Sequence, residues 1–120
     1  MHPQLEILLE LQDLKAQMLE MEKRDAEYSS REIEEDVFRI SAEEAIVQLD
    51  TKIQEMEAGL DPDVAARYRL VSGRRPRGSV VPVVDGICYG CFVAMPTAMT
   101  RSNETLRWCE GCGSFVYFVD

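Results

Sequence analysis

The chain has 120 residues, 46% of them hydrophobic and 29% charged, with a formal net charge of −9. That length holds one ordinary domain or two small modules. No apolar run approaches the ~18–20 residues that cross a membrane, and the acidic, amphipathic start MHPQLEILLELQDLK lacks the basic and apolar blocks of a signal peptide. The expected compartment is therefore the cytoplasm, with no membrane partner.

The charge is unevenly spread. Residues 1–61 carry seventeen Asp/Glu against six Lys/Arg, whereas residues 62–120 carry five against seven. Overall acidity argues against indiscriminate binding to nucleic acid, but a local basic cluster can still meet an anion.

Residues 3–28 read as an amphipathic helix. Pro3 suits a first turn, and Ile7, Leu11, Leu14, Met18 and Met21 recur in steps of four and three, the seam of a coiled coil. Leu5, Leu8, Leu9 and Leu19 widen this stripe, and Glu, Gln and Lys occupy the opposite face. Residues 29–41 break the pattern, because the seam would continue through Glu32, Glu35 and Arg39. Val37-Phe38-Arg39-Ile40 is β-branched and aromatic, a poor helix continuation. A second helix over 42–58 follows, with Ala42, Ile46, Leu49, Ile53 and Met56 in its seam and Gly59 as its stop. An antiparallel hairpin turning within 29–41 is the leading arrangement. The rival is one continuous helix of roughly 80 Å, forming a homodimer with a second chain.

Asp61-Pro62 reads as a helix cap and first-turn proline. A short helix then runs to about Val71, with Val64, Tyr68 and Val71 on one face. Ser72–Ser79 is a loop by composition. Five arginines, Arg67, Arg69, Arg74, Arg75 and Arg77, fall within eleven residues here. Val80–Val84 reads as a strand, and Pro82 within it calls for an edge or an irregular position. Leu106–Trp108 and Phe115–Val119 supply further strands.

All four cysteines lie near the end of the chain, as Cys88-x2-Cys91 and Cys109-x2-Cys112, seventeen residues apart. This spacing is the sequence form of a four-cysteine zinc site, in which four thiolates surround the ion as a tetrahedron. Gly90 and Gly111 precede the second cysteine of each pair, where the turn calls for positive φ. A rubredoxin-like iron site uses a similar ligand set. Two disulfides would need an oxidising compartment. A redox C-x2-C usually sits in a thioredoxin-like βαβ context, which this sequence lacks. One zinc ion is the leading assignment. A site with four thiolates has no open position and is structural. With a single histidine, His2, next to the N-terminus, the chain also lacks the partners of a catalytic triad, and no enzyme is expected.

The expected fold is therefore α+β. A helical hairpin or coiled coil spans 1–60, a short helix and Arg-rich linker span 61–79, and a small β zinc ribbon spans 80–120. The chain resembles the bacterial zinc-ribbon proteins with an N-terminal coiled coil, often described as nucleic-acid-binding. The resemblance rests on the acidic helical seam and on the junction Leu60-Asp61-Pro62, Arg67-Tyr68, Arg74-Arg75 and Val80-Val81-Pro82-Val83. It rests also on Cys88-Tyr89-Gly90-Cys91-Phe92 with Met95-Pro96, paired with Trp108-Cys109-Glu110-Gly111-Cys112-Gly113. Two departures stand out: the coiled coil is much shorter than is typical, and Glu110 stands where many members have proline. The resemblance implies adaptor or chaperone roles, and in places RNA binding.

Two functions follow. The first is an adaptor that binds a protein partner through its helices, with zinc holding the ribbon. The second is RNA or DNA binding through the ribbon, with Arg67, Arg69, Arg74, Arg75 and Arg77 taking phosphates. Trp108, with Tyr89 or Phe92, would stack on bases.

Overall fold

The computed structural model describes residues 1–30, 36–75, 78–96 and 102–119; for 27–30 and 36–42 it describes the helical backbone alone. The elements are α1 (Pro3–Ser30), α2 (Asp36–Ala58), α3 (Pro62–Arg74), β1 (Val80–Val84), β2 (Ile87–Cys88), β3 (Arg107–Trp108) and β4 (Phe115–Val119). The class is α+β.

α1 and α2 pack on each other antiparallel. The Gln4 side chain donates to the Gly59 carbonyl at 3.2 Å, and the Lys15 ammonium lies 3.3 Å from Glu57, so the start of α1 meets the end of α2. This folding back replaces the continuous helix. The turn region falls partly on residues 31–35, outside the described residues. Two boundaries differ from the expected ones. α2 begins at Asp36, so Val37–Ile40 is helical: a β-branched residue costs a helix only a few tenths of a kcal/mol, too little to end one. α3 continues through Ser72 and Gly73 to Arg74, closed by the Arg75 N–H donating to the Val71 carbonyl.

The most buried residues of α1 are Leu5, Leu8 and Leu11, each fully enclosed, with Leu14 close behind. Leu5 and Leu8 flank the seam, yet they lie deeper than Ile7 and Met18, because α1 is covered on two sides. α2 takes one side. Tyr68 of α3 and Val80 and Phe115 of the sheet belong to the same apolar cluster on the other. On α3 the buried residues are Ala65, Tyr68 and Val71, spaced three apart on one face.

The four strands lie in the order β2-β1-β4-β3. β1 and β2 form a hairpin around Asp85 and Gly86, both at positive φ (51° and 77°), which is the geometry that favours Asp-Gly. β3 and β4 are antiparallel, while β1 and β4 run parallel with Val80 beside Phe115 and Val84 beside Val119. Side chains alternate across a strand. Val80 and Phe115 therefore face the helices, and Val81, Val83 and Val116 join the cysteines on the other face. The sheet is a partition between a helical layer and a sulfur layer. Pro82 tolerates an interior strand because the β2 side of β1 is open at its start. The Pro82 carbonyl accepts from Tyr89 at the end of that ladder, and no strand needs its missing N–H.

Three side-chain amides fasten this arrangement, each bonding another segment's backbone with both its donor and its acceptor. Gln4 holds Gly59 O and Asp61 N; Gln12 holds Val80 O (2.9 Å) and Val80 N (2.8 Å); Asn103 holds Phe118 O and Phe118 N. Buried backbone groups need partners, and these amides supply them where the strands and helices end. Gln4 and Gln12 thus correct the expectation that glutamine on α1 faces only solvent.

Candidate metal centre

The sheet carries the cysteines on two similar turns. In the first, Cys88 ends β2 and Phe92 N donates to Cys88 O (2.7 Å) while Cys88 N donates to Val93 O (3.0 Å). In the second, Cys109 follows β3, Gly113 N donates to Cys109 O (2.7 Å), and Cys109 N donates to Ser114 O (2.9 Å). The same two bonds recur at the same offsets, so both Cys-x2-Cys segments adopt one knuckle.

Positive φ falls two residues later than expected. It occurs after the second cysteine, at Phe92 (60°) and Gly113 (78°), and not at Gly90 or Gly111. Gly90 is needed for space: a Cβ there would lie 3.2 Å from both Val81 methyls and 3.4 Å from Cys112 Sγ. A Cβ at Gly111 would sit 3.5–3.6 Å from two other sulfurs.

All four Sγ atoms lie within 4.8 Å of one another. Cys88 and Cys112 are 3.8 Å apart, and Cys91 and Cys109 are 3.7 Å apart. A tetrahedron with metal–sulfur bonds of about 2.3 Å has sulfur–sulfur edges of about 3.8 Å, so these pairs already have the required spacing. A disulfide would need about 2.05 Å, and all four cysteines are free thiols. The cluster can hold a metal ion.

Cys88 and Cys109 are buried and Cys91 and Cys112 half-buried. Burial pushes the Cys88 thiol up to about 12, although the Gly90 and Cys91 N–H groups favour its thiolate. Burial also pushes Cys112 up, but there the Ser114 backbone N–H and the neighbouring thiols outweigh it and bring it down to about 7. The Ser114 hydroxyl donates its one proton to the Gly78 carbonyl at 2.6 Å, which leaves the backbone N–H as the donor to sulfur. One thiol of the set therefore ionises well before the most buried one. A bound cation would complete the deprotonation, since it binds thiolates.

The arginines separate. Arg75 Nη1 donates to the Gly90 carbonyl at 2.8 Å, bracing the first knuckle. With Arg74 it lines a recess of about 280 Å³ against Val71, Gly111 and Cys112. Arg67 lies over the Trp108 ring, 4.1 Å from its centroid. Arg69 is exposed, and Arg77 lies outside the described residues. Arg74 and Arg75 thus stand beside the sulfurs, while Arg67 and Trp108 form a separate pair. The extension of α3 through Arg74 brings Arg74 and Arg75 to the knuckles; the composition of the stretch had suggested a free loop. Sequence reasoning also missed Gln12 and Gln4. Their signal was the i, i+4, i+8 spacing with Leu8, which puts both on a buried face.

None of the family models, curated proteins or solved structures compared with the chain matches it. Among the described residues no helix is long and apolar enough to cross a membrane.

Proposed function

We propose that the chain is a non-enzymatic adaptor that binds a protein partner, with one structural zinc ion held by Cys88, Cys91, Cys109 and Cys112. The observation that carries the metal reading is the sulfur spacing of 3.7–3.8 Å across the two knuckles, with all four Sγ atoms within 4.8 Å of one another. Four thiolates fill a tetrahedral ion, leaving no position for substrate. The ion would hold the two knuckles together on a sheet too small to bury a core of its own. Zinc is preferred to iron because a closed four-cysteine site is the commonest setting of structural zinc. Free thiols suit a reducing compartment such as the cytoplasm. The likeness to the bacterial coiled-coil zinc-ribbon proteins supports the same reading.

Protein is favoured over nucleic acid as the partner. Two of the arginines proposed for phosphate are engaged inside the molecule, Arg67 on Trp108 and Arg75 on Gly90. Arg74 stands beside the sulfurs, and the chain carries a net charge of −9. The seam residues Leu11, Leu14 and Ile53 are buried within a single chain, so the hairpin needs no second copy to cover them. Crosslinked pull-downs with and without nuclease test this reading. Protein capture that survives nuclease is expected. Capture lost with nuclease, together with tight salt-dependent binding of a single-stranded oligonucleotide, would replace it with the nucleic-acid reading.

A further inference from the structure

A concavity of about 840 Å³ lies between α3 and the β3 side of the sheet. Its apolar lining includes Leu70 and Trp108, which are 60% and 41% exposed. Neither side chain contributes to the two apolar clusters of the fold. Asp61, Asp63 and Glu104 line the rim together with Arg67 and His2; Glu104 is paired with the Met1 ammonium at 2.7 Å, which leaves the Asp61 and Asp63 carboxylates as the acidic side of the groove. Asp61 and Asp63 make no ion pair among the described residues, and the Asp61 carboxylate does not cap α3. Helix polarity accounts for an acid in the first turn of α3. It does not account for an exposed leucine two turns further on, nor for an exposed tryptophan facing the same groove.

From this placement we infer that the groove receives a basic, partly apolar peptide segment of a partner protein. The inference rests on the reading of the chain as a protein-binding adaptor and names the surface and the partner chemistry. Apolar side chains of the peptide cover Leu70 and Trp108. Its lysine or arginine charges face Asp61 and Asp63. Arg67 over Trp108 is an internal example of the contact, a guanidinium on an indole face. A nucleic acid fits poorly, because its phosphates would meet the unpaired carboxylates at the rim.

The test is a peptide-display selection against the full metal-loaded chain, with affinities of enriched synthetic peptides measured by calorimetry. Enriched sequences are expected to combine Lys/Arg with apolar residues. Their affinity is expected to fall at least tenfold in Leu70→Ser and in Asp61→Asn/Asp63→Asn, and to weaken with salt in the wild type. These surface changes leave the fold in place; circular dichroism and metal content check this. Peptides that are acidic or uncharged, no enrichment at all, or affinities unchanged in both variants would overturn the inference. If nuclease-resistant partners are still captured by both variants, the groove is wrong and the adaptor reading stands. If no protein is captured by the wild type, the adaptor reading itself fails.

Discussion

Replacing Gln12 with leucine removes the contact that ties the helical hairpin to the start of the sheet. The Gln12 amide accepts from Val80 N at 2.8 Å and from the Ser79 hydroxyl at 3.2 Å, and donates to Val80 O at 2.9 Å. Val80 is only 2% exposed, so water cannot replace the amide without opening the core. A buried donor or acceptor left without a partner costs about 1–3 kcal/mol. Leucine strands one of each at Val80 and recovers about 1 kcal/mol through its own apolar surface. The expected net loss is therefore about 1–5 kcal/mol. Gln17→Leu is the matched control. Gln17 is exposed and among the described residues bonds Asp13 one turn away, so its loss should fall within about 0.5 kcal/mol. Urea unfolding of the metal-loaded proteins, followed by helix signal and by Trp108 fluorescence, gives both numbers. A Gln12→Leu protein no less stable than Gln17→Leu would show that the amide does not join the layers.

The two knuckles offer a second comparison. Phe92 and Gly113 occupy equivalent positions at positive φ, where a side chain costs roughly 1–2 kcal/mol. Phe92 is 74% exposed, so Phe92→Gly forfeits little burial. The strain it relieves is offset in part by about 0.5–1 kcal/mol of backbone freedom. The expected result in chemical denaturation is stability unchanged or raised by up to about 1 kcal/mol, whereas Gly113→Ala lowers it by about 1–2 kcal/mol. A clear loss for Phe92→Gly would mean that the ring packs on the fold. The arginines beside the sulfurs make a third prediction. Neighbours of a metal site commonly change its affinity by 10–100-fold, so Arg74→Gln/Arg75→Gln is expected to weaken metal binding at least tenfold in a chelator competition. Unchanged affinity would return both arginines to the solvent.

Much of the fold was legible where local rules decide it. The spacing of Leu11, Leu14 and Met18 gave a helix, and two Cys-x2-Cys segments gave the sulfur cluster. What stayed hidden depended on contacts distant in sequence. Nothing local at Val80 or Phe115 announces a parallel pair, since the two strands are thirty residues apart (85–114) with both knuckles between them. The helical state of Val37–Ile40 and of Ser72–Arg74 was hidden because propensity differences are small, a few tenths of a kcal/mol for most residues and about 1 for a glycine, and do not by themselves end a helix. The glycines of the knuckles were expected for backbone freedom, yet Gly90 is small because Val81 and Cys112 crowd it. The arginine cluster was visible as a cluster, but the extra turn of α3 that divides it between the sulfurs and Trp108 was not.

The most direct measurement is the metal content of the protein purified without added metal, by elemental analysis together with absorbance and a thiol titration. The account predicts one zinc per chain, no visible colour, and four thiols that react only after a chelator removes the ion. A coloured protein containing iron, or a metal-free protein with the same fold and four freely reacting thiols, would contradict it.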